Sequence, residues 1–136
     1  MAVKENCSLP VFVSNVYGAD GKLLTGATPE AMALMLESMG ADAIGANCSL
    51  EPKQLKGVIA ELLENASIPV LLKPNAGLPT EKDGKAVYST LPDEFASDLR
   101  SAVQNGVSIV GGCCGTTPEH IASLVSSAKD VPVSIP

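Results

Sequence analysis

Aromatic side chains are scarce in this chain, with two Tyr, two Phe and no Trp among 136 residues. That scarcity argues against platforms on which nucleic-acid bases stack. Positive charge is also short: nine Lys and Arg stand against fifteen Asp and Glu, for a net charge of −6. Such a balance disfavours nucleic acids and anionic membrane surfaces as partners. No apolar run approaches the roughly 20 residues needed to span a bilayer. Residues 1–10 lack the basic segment and apolar core of a secretory signal. The expectation is a soluble, cytoplasmic protein with neither nucleic-acid nor membrane partners.

What is present fits one domain, residues 1–136, with 46% hydrophobic residues. Four cysteines without an export signal point to metal or redox chemistry rather than to structural disulfides. Apolar, β-branched stretches recur at 10–15, 42–46, 68–72 and 107–110, each followed by a turn and a segment of helical period. Leu34, Leu36 and Met39 mark the first helix, and Leu55, Val58, Ile59, Leu62 and Leu63 the second. Phe95, Leu99, Ala102 and Val103 mark the third, and Ile121, Leu124, Val125 and Ala128 the fourth. Pro29, Pro52, Pro92 and Pro118 sit near the helix starts, where a missing N–H costs nothing. Thr28 and Thr117 are positioned as N-caps, and Gly40 and Gly106 as left-handed C-terminal caps.

Units of roughly 30 residues in the order βαβαβαβα require parallel strands covered by helices. Two α/β folds compete: a small open flavodoxin-like sheet, and half of a (β/α)8 barrel, whose full form needs roughly 250 residues. Periodicity alone slightly prefers the open sheet. The second and fourth units share a local pattern, Gly40-Ala-Asp-Ala-Ile-Gly45 against Gly106-Val-Ser-Ile-Val-Gly111, and the same offset sets Cys48 opposite Cys114.

Cys48 follows the second strand, and Cys113 and Cys114 follow the fourth. All three lie at strand C-terminal ends, where α/β enzymes carry their chemistry. In a barrel, strands two apart share inward-facing parity, so their tips converge. Three converging thiolates suit a tetrahedral zinc ion with its fourth position open, which is a catalytic arrangement. A substrate thiol bound there would be deprotonated outright. Three other readings each explain one part: cysteine as a small buried hydrophobe, a vicinal Cys113–Cys114 disulfide as a redox switch, and a glycine-rich phosphate loop. None explains a third cysteine at the matching strand tip.

The stretches "GANCS", "KPNAGLP" and "GGCCGTTPEHI" resemble the homocysteine-binding domain of zinc-dependent homocysteine S-methyltransferases, nearest the cobalamin-dependent methionine synthase type. The resemblance covers nearly the whole chain in the right order. It implies that Cys48, Cys113 and Cys114 bind zinc and that Asn75 touches homocysteine. It implies the second half of a (β/α)8 barrel, strands five to eight, with the first half and its other substrate contacts supplied elsewhere. A chain of that kind is a fragment of a larger enzyme, poorly active alone. Its implied reaction is methyl transfer to homocysteine, giving methionine. The donor stays open among methylcobalamin, betaine and S-methylmethionine, with cobalamin carried on another module. The alternative is a non-catalytic zinc-binding or thiol–disulfide module.

Other residues carry less. Cys7 precedes the first strand and falls at the opposite end of the sheet, and His120 reads as a packing or surface residue. Lys73, ending the third strand, reads as structural. Residues 80–91 form a long loop with a turn at Asp83-Gly84, near the substrate face. The open edges of a half-barrel, at the first and fourth strands, call for the missing half or for a homodimer that closes eight strands.

Overall fold

The computed structural model of the chain describes residues 1–133 and 136. Its strands are β1 (Phe12–Asn15), β2 (Ala43–Asn47), β3 (Val70–Lys73), β4 (Pro79–Lys82), β5 (Lys85–Tyr88) and β6 (Ile109–Val110). Its α-helices are α1 (Ala2–Asn6), α2 (Pro29–Ser38), α3 (Lys56–Asn65), α4 (Pro92–Gln104) and α5 (Pro118–Ala128). The main sheet is parallel and runs β1-β2-β3-β6, while β4 and β5 pair as a separate antiparallel hairpin. Neighbouring parallel strands joined in unbroken chain order by right-handed crossovers place every crossover helix on one face. A flavodoxin-like sheet reverses its strand order at a switch point, and this sheet does not. The architecture is a four-unit arc of a (β/α)8 barrel.

Local chemistry sets the element ends where the sequence places them. Thr28 caps α2, its Oγ1 accepting from Ala31 N at 3.2 Å, and Pro29 opens the helix. Pro92 and Pro118 open α4 and α5 in the same way, and Pro52 opens a 3-10 turn leading into α3. At the other ends, α2 and α4 close with paired bonds around a left-handed glycine. Ala41 N donates to Leu36 O at 3.0 Å beside Gly40, and Val107 N to Ala102 O at 3.1 Å beside Gly106.

Four side chains assigned to helix faces point elsewhere. Leu34, Met39, Ile121 and Val125 are exposed, while Met32, Ala33, Leu36 and Leu124 meet the core. The apolar stripes of α2 and α5 are wider than the sheet contact available to them. α2 packs against β2 and α3, and α5 against α4, at the two ends of the helical layer, so their outward flanks meet no neighbouring unit among the described residues. Helix α1, which the apolar pattern does not announce, buries none of its residues. It is tethered by Lys4 to Asp42, which also accepts from Val11 N at 2.6 Å. Because Asp42 immediately precedes β2, this tether puts α1 and the exposed Cys7 at the N-terminal ends of the strands.

Strand alternation divides the sheet into two faces. Val13, Ile44, Ala46, Val70, Leu72 and Val110 join the helix-side core with Phe95, Leu99 and Leu62. Their alternate neighbours Ser14, Gly45, Leu71, Lys73 and Ile109 belong to the concave face. Gly45 is compelled by close approach. A Cβ there would lie 1.9 Å from the Leu71 carbonyl oxygen and 2.7 Å from Leu71 Cγ, both on the adjacent strand. Gly57, in α3, has open space around it. Gly45→Ala is therefore expected to lower stability by about 3 kcal/mol or to prevent folding. Gly57→Ala should raise it by up to about 1 kcal/mol. Urea denaturation of the two variants checks this pair, and equal effects would contradict the register of β2 on β3.

Candidate metal centre

The segment leaving β3 runs between two loops and hydrogen-bonds to both. On one side, Cys48 N donates to Lys73 O at 2.9 Å, and Asn75 N to Leu50 O at 3.2 Å. On the other, Gly111 N donates to Leu72 O at 3.0 Å, Cys113 N to Pro74 O at 2.9 Å, and Ala76 N to Cys114 O at 2.9 Å. The buried Asn75 side chain adds a sixth bond, its Oδ1 accepting from Cys114 N at 3.1 Å. Pro74 has no N–H to satisfy in this crowded position, and its carbonyl holds the Cys113 loop.

The loops themselves are bent sharply. Cys48 and Ser49 are consecutive non-glycine residues in the left-handed region, at φ of 59° and 61°. That conformation costs of order 1–3 kcal/mol per residue and persists only where the surroundings impose it. It turns the chain so that Leu50 N reaches back to Cys48 O at 2.7 Å. In the other loop, Thr116 Oγ1 donates to Cys113 O at 2.7 Å. Gly115, at φ 79°, lets the Tyr88 ring lie against the backbone, since a Cβ there would stand 2.2 Å from Tyr88 Cγ.

The bends bring three sulfurs together. Sγ atoms of Cys48, Cys113 and Cys114 all lie within 4.8 Å of one another, and Cys48 Sγ is 3.5 Å from Cys114 Sγ. Tetrahedral zinc with bonds of about 2.3 Å separates its sulfur ligands by about 3.8 Å. The donor set and its spacing fit that ion. The thiols also do not titrate alike. Cys48 is held below the ordinary thiol range, first by a hydrogen bond from the Cys113 thiol and then by Ser49 N–H. Cys114 is pushed above it, first by its bond to Cys48, then by Cys113 and by the charge nearby. One thiolate thus forms easily and disfavours ionisation beside it. Complete deprotonation of the trio calls for a cation among the sulfurs.

The remaining residues fall into place around this cluster. Cys7 is remote and exposed. His120 is buried in packing, its Nε2 2.9 Å from Thr90 O, its Nδ1 accepting from Thr117 N at 3.2 Å, and its ring edge-on to Phe95 at 5.5 Å. Lys73 is exposed on the concave face, its stem 3.5 Å from the position a Gly111 Cβ would take, and makes no ion pair among the described residues. Residues 80–91 include most of the β4–β5 hairpin, where the sequence reads as loop. Asp83 and Gly84 both have positive φ, 54° and 72°, as a two-residue hairpin turn requires. The Asp-Gly pair signals that turn, but Thr80, Glu81, Lys82 and Lys85 mask the flanking strands. Tyr88, at the end of β5, escapes notice in the sequence for the same reason.

A family model described as homocysteine S-methyltransferase matches residues 1–128. The methionine synthase of Mycobacterium tuberculosis is 38% identical over 124 residues, covering 90% of this chain and 10% of that protein. That of Mycobacterium leprae is 39% identical over 120 residues, 88% of this chain and 10% of that protein. The chain thus spans about a tenth of the length of these curated relatives. A crystal structure of a homocysteine methyltransferase from Escherichia coli, in oxidized form, superposes with a TM-score of 0.62. It covers 85% of this chain and 35% of that one at 23% identity, a likeness of fold.

Removing the Asn75 carboxamide leaves the Cys114 N–H without its partner. Asn75→Ala is expected to cost about 1–3 kcal/mol of stability, measured by urea denaturation. A loss under about 0.5 kcal/mol, the range of an ordinary surface change, would show that this bond does not hold the loop.

Proposed function

Because the chain belongs to the homocysteine S-methyltransferase family, we propose that it forms part of an enzyme that transfers a methyl group to homocysteine, giving methionine. The observation that carries this reading is the convergence of three thiols from two strand ends within 4.8 Å. Cys48, Cys113 and Cys114 would hold a zinc ion. When bound, zinc supplies the positive charge that keeps a substrate thiol deprotonated near neutral pH.

This chain's own residues do the positioning. The three cysteines come from both sides of β3, which leaves a fourth direction for the homocysteine sulfur. Asn75, buried against the Cys114 loop, contacts the substrate as the loop presents it. The motifs that carry the family likeness favour a corrinoid methyl donor held on another module, with betaine and S-methylmethionine as the other donors. The remaining half of the barrel supplies further substrate contacts and covers the edge of β1, where Phe12 and Val16 are exposed, and the edge of β6. In its absence, a second copy of the chain is the partner that satisfies the same edges. The thiol–disulfide alternative draws on one distance, the 3.5 Å between Cys48 and Cys114 sulfurs.

Reduced protein loaded with zinc and then dialysed is expected to retain about one ion per chain. Serine at Cys48, Cys113 or Cys114 should each lower zinc affinity at least tenfold, whereas Cys7→Ser should not. Methyl transfer should be very slow with the chain alone and rise on adding the missing half in trans, because lost positioning raises the barrier by several kcal/mol. Equal zinc retention in all four variants would reject the ligand assignment. Metal-free protein that readily forms a disulfide within the trio would favour the redox alternative.

A further inference from the structure

The loop bearing Cys113 and Cys114 has little hold on its strand side, because β6 is two residues long. On its helix side it runs through Gly115 and Thr116 into Thr117, the N-cap of α5. Three positions on, where a capping box ordinarily has Glu or Gln, stands His120. Its Nδ1 accepts from Thr117 N at 3.2 Å, and its Nε2 lies 2.9 Å from Thr90 O. Thr90, at the foot of the β4–β5 hairpin, donates through its N–H to Ala76 O at 3.1 Å. Ala76 N donates in turn to Cys114 O at 2.9 Å. These bonds close a circuit that leaves Cys114 through Ala76, Thr90 and His120 and returns from Thr117 along the chain.

The circuit admits one form of the imidazole. A peptide N–H only donates, so Nδ1 must be bare to receive Thr117; a peptide carbonyl only accepts, so Nε2 must carry the proton for Thr90. All the bonds then run head to tail, each group donating to the next, an order in which neighbouring bonds polarise one another. A glutamate in the same place would cap Thr117 but set a carboxylate against Thr90 O. From this circuit we infer that His120 is a positioning residue of the sulfur centre, locking the Cys113–Cys114 loop between α5 and the hairpin foot as the neutral Nε2–H tautomer. Packing holds the ring for that task, since it is buried and edge-on to Phe95. The lock reaches Cys114 at its carbonyl, while Asn75 Oδ1 holds its amide. With both backbone polar groups of Cys114 fixed, its sulfur is aimed by the side-chain torsion alone. Outer partners of this kind orient metal ligands. The circuit stands independently of the metal reading, while its effect on a bound cation rests on that reading.

His120 is the chain's single histidine, so an isotopic label on histidine ring nitrogens gives one unambiguous pair of resonances. In mildly alkaline buffer, Nδ1 is expected in the range of a bare nitrogen and Nε2 in that of a protonated one. Resonances averaged between tautomers, or the reverse assignment, would overturn the proposal. His120→Leu removes both bonds and should accelerate hydrogen exchange of the Ala76 and Thr90 amides at least tenfold more than that of Ile44, which is bonded to Pro69 O in the sheet. His120→Gln, whose carboxamide offers an acceptor and a donor at similar spacing, should restore most of the protection. Equal acceleration at all three amides would assign His120 to general packing and overturn the lock. If His120→Leu does not fold, His120→Asn opens the circuit more gently, keeping an acceptor for Thr117 without the reach to Thr90, and the same comparison decides. In cobalt-loaded protein, the bond-opening variant should change the visible ligand-field bands and His120→Gln should return them. Bands identical in every variant would show that the lock does not reach the sulfurs, and would overturn the positioning role. Failure of the unaltered chain to take up cobalt would count against the metal reading, and the exchange rates would still decide the circuit.

Discussion

The exit of β3 carries the mechanical burden of the site. Lys73 O and Pro74 O each accept one cysteine amide, and Asn75 offers a backbone donor to one loop and a side-chain acceptor to the other. Neither cysteine loop is regular, and neither could hold its sulfur by secondary structure of its own. A strand tip flanked on both sides by loops is a consequence of the unbroken strand order, because β3 has β2 on one edge and β6 on the other. In a sheet with a reversed order, the two loops would not face each other across a single strand. Topology and chemistry therefore meet at residues 73–76.

Much of this arrangement is legible in the amino-acid sequence. Proline and threonine at helix starts and glycine at helix ends act through a few local bonds, and local bonds follow from local sequence. The offset that matches Cys48 with Cys114 translates directly into a sulfur contact of 3.5 Å, because equivalent positions on two strands flanking a third converge on its tip. Other features are hidden for identifiable reasons. No residue type at Cys48 or Ser49 advertises a left-handed backbone; the six bonds around β3 impose it from outside. Leu34, Met39, Ile121 and Val125 carry the helical period correctly yet face outward, since periodicity does not say how much of an apolar stripe its neighbours will cover. The hairpin's polar strands have no apolar alternation to read. Asn75 stands out through likeness rather than chemistry, and its bond to the Cys114 amide, thirty-nine positions away in the chain, leaves no local trace.

The surface charges matter less than their number suggests. Lys53 bridges Glu94 at 2.6 Å and Asp98 at 3.8 Å, linking the 3-10 turn before α3 to α4, but the Lys53 and Glu94 side chains remain half exposed. Pairs of that kind contribute about 0–1 kcal/mol. The decisive electrostatics lie among three uncharged-looking cysteines, where the first ionisation raises the cost of the next. With a net charge of −6, the chain as a whole has no excess of positive charge to offset that cost.

The shortness of β6 has a kinetic consequence. With two residues in register against β3, it is the least anchored strand of the main sheet, and it is also the last of the four to leave a ribosome. Its loop nevertheless bears two of the three sulfurs. Folding in chain order can assemble β1, β2 and β3 through contacts between successive units, a route that favours rapid folding. The trio is complete only after the final unit docks. A cation gripping Cys48 together with Cys113 and Cys114 would act as a latch on that docking, slowing the fraying of the C-terminal unit more than that of any other part of the chain.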